Sequence, residues 1–346
     1  MNEKRFKKSL KTYDYSLKKE LIAQDPARPR DSARLLIARR SGGEAVYSTF
    51  KNICEYLPAN ALVVMNETKV VPARFLVRKK TGGAIKLLYL SHSAKEIRAL
   101  SPKRLKDGTI LLCGKSGHLL VKKEIGGEYV LRPSFPAKNI FRYLDNLGET
   151  PLPPYLSHSS LTEKGKRMYY QAVFAKKKGS AAAPTASLHF TGRLLRKIRA
   201  KGNKIVRLTL HVGLGTFGPL NLENLEKNRL HEEYYEIPEN TVREISKAKK
   251  EKRPIIAVGT TVVRALESAW GKKGIKFKGK TKLFIKEGYQ LRVVDGLITN
   301  FHVPMSSLLM LVSAFCGRRR LLGLYRKAIR RKFRFFSFGD GMMLLP

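Results

Sequence analysis

The chain of 346 residues is long enough for two folding units, since single cores stop growing near about 250–300 residues. Its 43% hydrophobic and 28% charged content is that of a globular protein and excludes a disordered or membrane-embedded one. Lysine and arginine number 69 against 27 acids, a net charge of +42 that attracts polyanions by Coulomb forces and counterion release and makes nucleic acid the expected partner, although a generally basic proteome would produce the same surface.

Residues 35–39 and 61–65 are short apolar runs bounded by polar ones and predict buried strands, with a helix over 47–57 between them. The pattern changes near Pro72. From there the strand-like pieces 75–77, 85–90, 110–113, 118–122 and 129–131 alternate with turn signals such as Thr81-Gly82-Gly83, Lys106-Asp107-Gly108 and Gly126-Gly127, which predicts a small antiparallel barrel. After Pro151-Leu152-Pro153-Pro154 the chain alternates again. Helices are expected over 194–201, 239–249, 260–270, 306–315 and 321–332, and strands over 204–211, 255–258 and 291–294. The predicted fold is a larger discontinuous α/β domain, residues 1–71 and 152–346, with an antiparallel β-barrel insert at 72–151. The last helical segment carries Arg319, Arg326, Lys327 and Arg330 opposite Leu321, Leu324 and Tyr325, a cationic face suited to phosphates or to solvent.

Cys54, Cys113 and Cys316 lie far apart without CxxC spacing, which points to a reducing compartment and away from a disulfide framework or a zinc site. The first twenty residues lack the apolar run of a signal peptide, and the longest apolar stretch, 306–316, is too short to span a bilayer. A cytoplasmic protein is expected. None of the seven histidines has metal-ligand spacing, so no metal is expected.

Five segments spend residues in ways a plain core would not. The small-residue run 179–191 ends in His189 and Thr191, and small residues let backbone approach a ligand or cap a following helix. Leu210-His211-Val212-Gly213-Leu214-Gly215 resembles a glycine-rich turn after a strand, followed by His231-Glu232-Glu233-Tyr234-Tyr235, which reads equally as an acid/base cluster or a surface loop. Gly259-Thr260-Thr261 presents hydroxyls and amides at a helix start, and Arg264 and Glu267 further along fit a surface ion pair. Asp295, Thr299, Asn300 and His302 place an acid, a hydroxyl, an amide and an imidazole in one expected loop. Finally, Phe335-Phe336-Ser337-Phe338-Gly339-Asp340 sets a carboxylate among aromatics that can stack on a base or pack.

In this order the five segments resemble the S-adenosylmethionine:tRNA ribosyltransferase-isomerases of queuosine biosynthesis. The resemblance extends through Asp14-Tyr15, Leu21-Ile22-Ala23-Gln24, Arg34-Leu35-Leu36, Asn66-Glu67-Thr68-Lys69-Val70-Val71-Pro72-Ala73-Arg74, Pro153-Pro154-Tyr155 and Tyr170-Gln171. It implies an α/β domain with a barrel insert. It also implies an enzyme that transfers and isomerises the ribosyl part of S-adenosylmethionine onto the aminomethyl-deazaguanine at the tRNA wobble position, giving epoxyqueuosine and releasing adenine and methionine. S-adenosylmethionine is then a consumed co-substrate, with no permanent cofactor, and the tRNA anticodon loop is the partner of a monomer. The sulfonium acidifies the neighbouring ribose carbon and supplies the leaving group, so this chemistry does not call for a metal.

The acid/base candidates are His189, His211, Glu233, Asp295, His302 and Asp340. Candidates for substrate binding are Glu67, Thr68, Arg74, Thr185, Thr191, Gly213, Gly215, Thr260, Thr261, Arg264 and Asn300. The chain departs from the family pattern at Glu67, Ser187, Glu287 and Gly341, and has Ser157-His158 where an arginine is expected. Two rival readings are a non-catalytic RNA-binding module and a conventional methyltransferase; the latter lacks its early GxGxG turn here.

Overall fold

Three strands, Leu62–Asn66, Ile255–Val258 and Gly296–Asn300, are buried at every residue. Such strands need apolar cover on both faces, the setting of a parallel sheet between two layers. The computed structural model, which describes residues 3–114, 117–213, 220–271 and 274–346, has that arrangement. Among the described residues nine strands form one mixed sheet. Their order is Lys278–Leu283, Arg229–Glu236, Lys204–Leu210, Leu62–Asn66, Ile255–Val258, Gly296–Asn300, Gly341–Leu345, Arg34–Arg39 and Val46–Thr49. Strands three to six in this order are mutually parallel, so their carboxyl ends open on a single edge. Gly341–Leu345 runs the other way and begins at that edge, with Gly341 opposite Asn300.

Alternation along each strand splits the core into two layers. Val63, Met65, Ile256, Val258 and Ile298 pack with Phe50, Phe190, Leu194 and Ile198 on one face. Leu62, Val64, Leu208, Leu210 and Leu297 pack with Val262, Leu266, Leu309 and Leu324 on the other. The cationic helix Arg318–Arg330 buries Leu321, Leu324, Tyr325 and Ala328 and exposes Arg319, Arg326 and Arg330, as its spacing predicts.

The barrel has six antiparallel strands that close in the order Glu128–Pro133, Ile97–Leu100, Ala84–His92, Arg74–Lys79, Ile110–Cys113 and Gly117–Ile125. Strict alternation sends Phe75, Val77, Ile85, Leu87, Tyr89 and Leu119 inward, and Ile140 and Leu144 of the helix Ile140–Leu147 join the same core. The neck of the insert is a pair of reciprocal backbone bonds. Arg74 N donates to Glu149 O (3.1 Å) and Glu149 N donates to Arg74 O (2.7 Å).

Three expectations need correction. Residues 47–57 are not one helix: Val46–Thr49 pairs with Arg34–Arg39 as a strand, and only Phe50–Glu55 turns, as a 3-10 helix. Residues 291–294 form no strand, because the Glu267 carboxylate accepts the amides of Arg292, Val293 and Val294 that a ladder would have used. The polar segment after Val294 is not a loop, since Gly296–Asn300 is a central buried strand.

Gly148 ends the helix Ile140–Leu147 against the neck. A Cβ there would lie 2.0 Å from the Pro72 carbonyl and 2.5 Å from that of Leu144, both backbone atoms that cannot swing away. Gly148→Ala is expected to lower stability by about 1–3 kcal/mol through overpacking, seen as a lower thermal midpoint; an unchanged midpoint would contradict this account of the neck.

Candidate active site

The carboxyl edge of the four parallel strands is where open α/β sheets bind ligands. Here it is organised by Asn66, the last residue of Leu62–Asn66, which has no exposed surface. Its Oδ1 accepts from the amides of Leu210 and Thr68 (both 3.1 Å), and its Nδ2 donates to Leu210 O (2.9 Å) and Thr261 Oγ1 (3.3 Å). The ends of two strands and the start of the helix Thr260–Ala269 are thereby tied to one side chain.

The small-residue run crosses this edge from strand to strand. Gly179 lies against the His211 ring, so that a Cβ would come within 2.8 Å of it. Ser180 Oγ donates to Ala182 O and accepts from Val212 N, both 2.8 Å. Ala186 faces Gly259 at the end of Ile255–Val258, and His189 reaches Asn300 at the end of Gly296–Asn300. Arg30 holds the end of the run by donating to the carbonyls of Gln171 (2.7 Å), Met168 (2.6 Å) and Leu188 (3.3 Å).

The three candidate histidines meet different environments. Asn300 Nδ2 donates to Phe336 O (3.1 Å), a pure acceptor that fixes the orientation of the amide. The same Nδ2 is 3.1 Å from His189 Nε2, so that nitrogen accepts and the proton sits on Nδ1. His189 is stacked on Phe50 (ring centroids 4.1 Å), and burial, aided by Arg334 and Arg30, pushes its pKa down to about 3. His302 is also buried, with Nε2 2.8 Å from Thr299 Oγ1, and burial lowers its pKa to about 3. In both, burial favours the neutral imidazole. His211 is half-buried, its Nδ1 2.8 Å from Thr68 Oγ1. Burial, aided by Lys177 and opposed by Glu236, moves its pKa below the ordinary imidazole value.

Behind this edge, Arg264 donates to the Glu233 carboxylate in a buried ion pair and to Leu283 O (3.2 Å), while Gly213 N donates to Glu233 Oε1 (3.3 Å). Arg264 and Glu267 therefore do not form the expected surface pair; each is buried with other partners. Glu67 lies beside Asn66, 3.9 Å from Arg207. Thr260 and Thr261 sit at the helix start, and Thr185 begins the 3-10 turn Thr185–His189. Thr191 caps the helix Gly192–Ala200, accepting from Leu194 N (3.1 Å).

Other candidates lie apart. Asp295 precedes Gly296–Asn300 and so sits at the opposite edge, where its carboxylate accepts from Ile255 N (2.9 Å). Arg74 is exposed on the barrel. Asp340 is at the correct edge, but its oxygens accept from Arg34 N (2.9 Å) and Arg334 N (2.8 Å); burial raises its pKa against the pull of those amides and of the Arg34 and Arg334 charges. Gly215 lies outside the described residues. Buried polar atoms without a hydrogen-bond partner among the described residues include Ser187 Oγ, Asn300 Oδ1 and Arg264 Nη2. A cavity of about 660 Å³ between the helices Glu3–Lys11 and Arg318–Arg330, lined by Tyr13, Lys286, Glu287 and Arg318, contains none of these groups. No cluster of His, Cys, Asp and Glu suited to a metal is found among the described residues.

A family described as queuosine biosynthesis protein matches residues 10–344 of this chain. The chain belongs to that family. The S-adenosylmethionine:tRNA ribosyltransferase-isomerase of Carboxydothermus hydrogenoformans is 43% identical over 344 residues, covering 97% of this chain and 99% of its own. That of Halothermothrix orenii is 45% identical over 343 residues, covering 96% and 98%. The crystal structure of the S-adenosylmethionine tRNA ribosyltransferase from Thermotoga maritima superposes with a TM-score of 0.57 at 32% identity, covering 96% of this chain and 100% of that one. The family fold, a larger mixed α/β sheet with a closed barrel, is the one described above.

Asn66, Ser180 and Arg30 are site-building residues absent from the sequence candidates. The signal for Asn66 was a lone amide at the end of an otherwise apolar strand. Asn66→Ala leaves the Leu210 amide and carbonyl and the Thr68 amide buried without partners, and is expected to lower unfolding free energy by about 3 kcal/mol or more. Urea denaturation measures this; a midpoint matching the parent would remove Asn66 from its place at the edge.

Proposed function

We propose that this chain is an S-adenosylmethionine:tRNA ribosyltransferase-isomerase, which moves the ribosyl part of S-adenosylmethionine onto the aminomethyl-deazaguanine at the tRNA wobble position. The products are epoxyqueuosine-tRNA, adenine and methionine. The observation that carries this reading is full-length likeness to relatives of that name, above 40% identity, in a chain whose acid/base and hydroxyl groups gather at the carboxyl edge of a parallel sheet. The net charge of +42 suits a polyanionic substrate. The reading includes a cytoplasmic monomer, the anticodon loop as the part of the tRNA engaged, and an insert domain spanning residues 72–151. Among the described residues no helix is long and apolar enough to cross a membrane.

The reaction needs a base for the ribose carbon beside the sulfonium, and we assign that role to His211. His189 has its Nε2 lone pair committed to Asn300, and His302 is hydrogen-bonded inside the core. His211 is half-buried, next to bare glycine backbone and oriented by the Thr68 hydroxyl. Asn300 Oδ1 is an acceptor without a donor among the described residues, suited to a ribose hydroxyl, and the Thr260 and Thr261 helix start suits the methionine carboxylate.

Incubation with S-adenosylmethionine and tRNA carrying the aminomethyl-deazaguanine is expected to release adenine and form an epoxyqueuosine nucleoside, both read by mass spectrometry. Tight tRNA binding without adenine would favour an RNA-binding module instead. A base acts when neutral, and burial moves the His211 pKa below the ordinary imidazole value. Turnover should therefore hold as pH falls to that value and decline only below it. His211→Ala should lose about 10²–10⁴-fold in kcat and abolish the acid limb; an intact limb in this variant would assign the proton to another group.

A further inference from the structure

Beside His211 the sheet presents an aromatic ring that the core does not use. Along Arg229–Glu236, Glu233 and Tyr235 turn inward while Tyr234 faces out, 40% exposed. Tyr234 is the cross-strand neighbour of His211: His211 N donates to Tyr234 O (3.1 Å), and their rings lie 21° from parallel with centroids 6.4 Å apart. Lys177 stands on the same side. It pairs in register with Thr68, whose hydroxyl bonds His211, and its charge acts on the His211 ring.

The charges around this platform are largely spoken for. Lys178 pairs with Asp145 (2.5 Å), and Glu232 is held by Lys280 (2.7 Å) and Lys282 (3.3 Å). Glu236 lies in register with Lys278. Lys177 is exposed and has no carboxylate partner among the described residues. An open ring and an uncommitted ammonium flanking a reactive imidazole match the two halves of a nucleotide, a π-face and a phosphate.

We propose that Tyr234 and Lys177 form a subsite for one nucleotide of a single-stranded RNA loop, the base stacked on Tyr234 and its phosphate on Lys177, which sets the neighbouring modified base at His211. The inference rests on the tRNA reading above. The adenosine of S-adenosylmethionine is the other aromatic candidate, but that molecule has no phosphate, its net charge is positive, and its one carboxylate is assigned above to the Thr260 and Thr261 helix start.

Steady-state kinetics on the full chain with the modified tRNA, varying each substrate in turn, test the assignment. Both side chains are exposed, so circular dichroism of the variants should match the parent. Tyr234→Ala is expected to raise KM for tRNA about 10- to 100-fold with a smaller change in kcat and none in KM for S-adenosylmethionine. Tyr234→Phe, which keeps the ring, should recover most of that loss. Lys177→Ala should weaken tRNA binding and reduce the slope of log affinity against log salt by about one. Unchanged tRNA KM in both alanine variants overturns the subsite, as does a rise in KM for S-adenosylmethionine in place of tRNA. Parent protein that binds tRNA but releases no adenine overturns the enzymatic reading; the salt slopes of the parent and Lys177→Ala would still decide the subsite.

Discussion

The Asn66 carboxamide accepts from the amides of Leu210 and Thr68 and donates to the Leu210 carbonyl and the Thr261 hydroxyl. Where parallel strands stop, their last backbone groups lose ladder partners, and each one left buried and unmet costs about 1–3 kcal/mol. One amide with two donors and two acceptor lone pairs meets three of these demands together and takes the Thr261 hydroxyl as its fourth partner. Because it is satisfied from several elements, it also fixes how they end relative to each other. Thr68 is turned toward His211, and Thr68–Val70 is left to pair with Lys177–Ser180 instead of continuing the main sheet. The site and the way out to the barrel are consequences of the same side chain.

The second constraint is thickness. The run from Gly179 to His189 lies across the ends of strands whose own residues are already buried, so each contact with the sheet must be made by something small or by backbone. Gly179 meets an imidazole, Ser180 folds its hydroxyl onto neighbouring backbone, and Ala186 meets a glycine. The same run is tied to the barrel, since Ser180 O accepts from Val71 N (2.9 Å) and Ala181 joins the barrel core. The position of the insert and the closeness of the run to His211 are thus coupled.

Much of the fold could be read from periodicity because burial is strong and local there. Arg74–Lys79 alternates exposed and buried residues, and Ile255–Val258 is an unbroken apolar run ending at a glycine. Both are patterns that one chain segment displays by itself. Elements whose burial depends on distant partners did not show. Arg229–Glu236 buries Glu233 and Tyr235, and Glu233 is met inside by Arg264, 31 residues on, and by the Gly213 amide. Residues 291–294 look like a strand until the Glu267 carboxylate takes their amides. Asp295 and Asn300 looked like neighbours in a loop, yet the strand between them sets them about 16 Å apart, on opposite edges.

The same limit governs the histidines, which are identical as letters and differ in surroundings. His189 and His302 were as good candidates as His211 in sequence, each beside hydroxyls or amides. Folding sets them apart from His211 in two ways that sequence does not encode locally: withdrawal from water, which disfavours the charged form, and a ring nitrogen within hydrogen-bond distance of a buried neighbour. What these buried imidazoles supply is order, since His189 anchors the small-residue run to Asn300 and His302 fastens the chain after that strand. His211 is half-buried, flanked among the described residues by the Gly179 backbone, the Thr68 hydroxyl and the exposed Tyr234 ring. An imidazole that must both give and take a proton needs that intermediate position: enough burial to favour the neutral base, and enough access for substrate to reach it. Of the three histidines, His211 is the one left half-buried, with glycine backbone against one side of its ring.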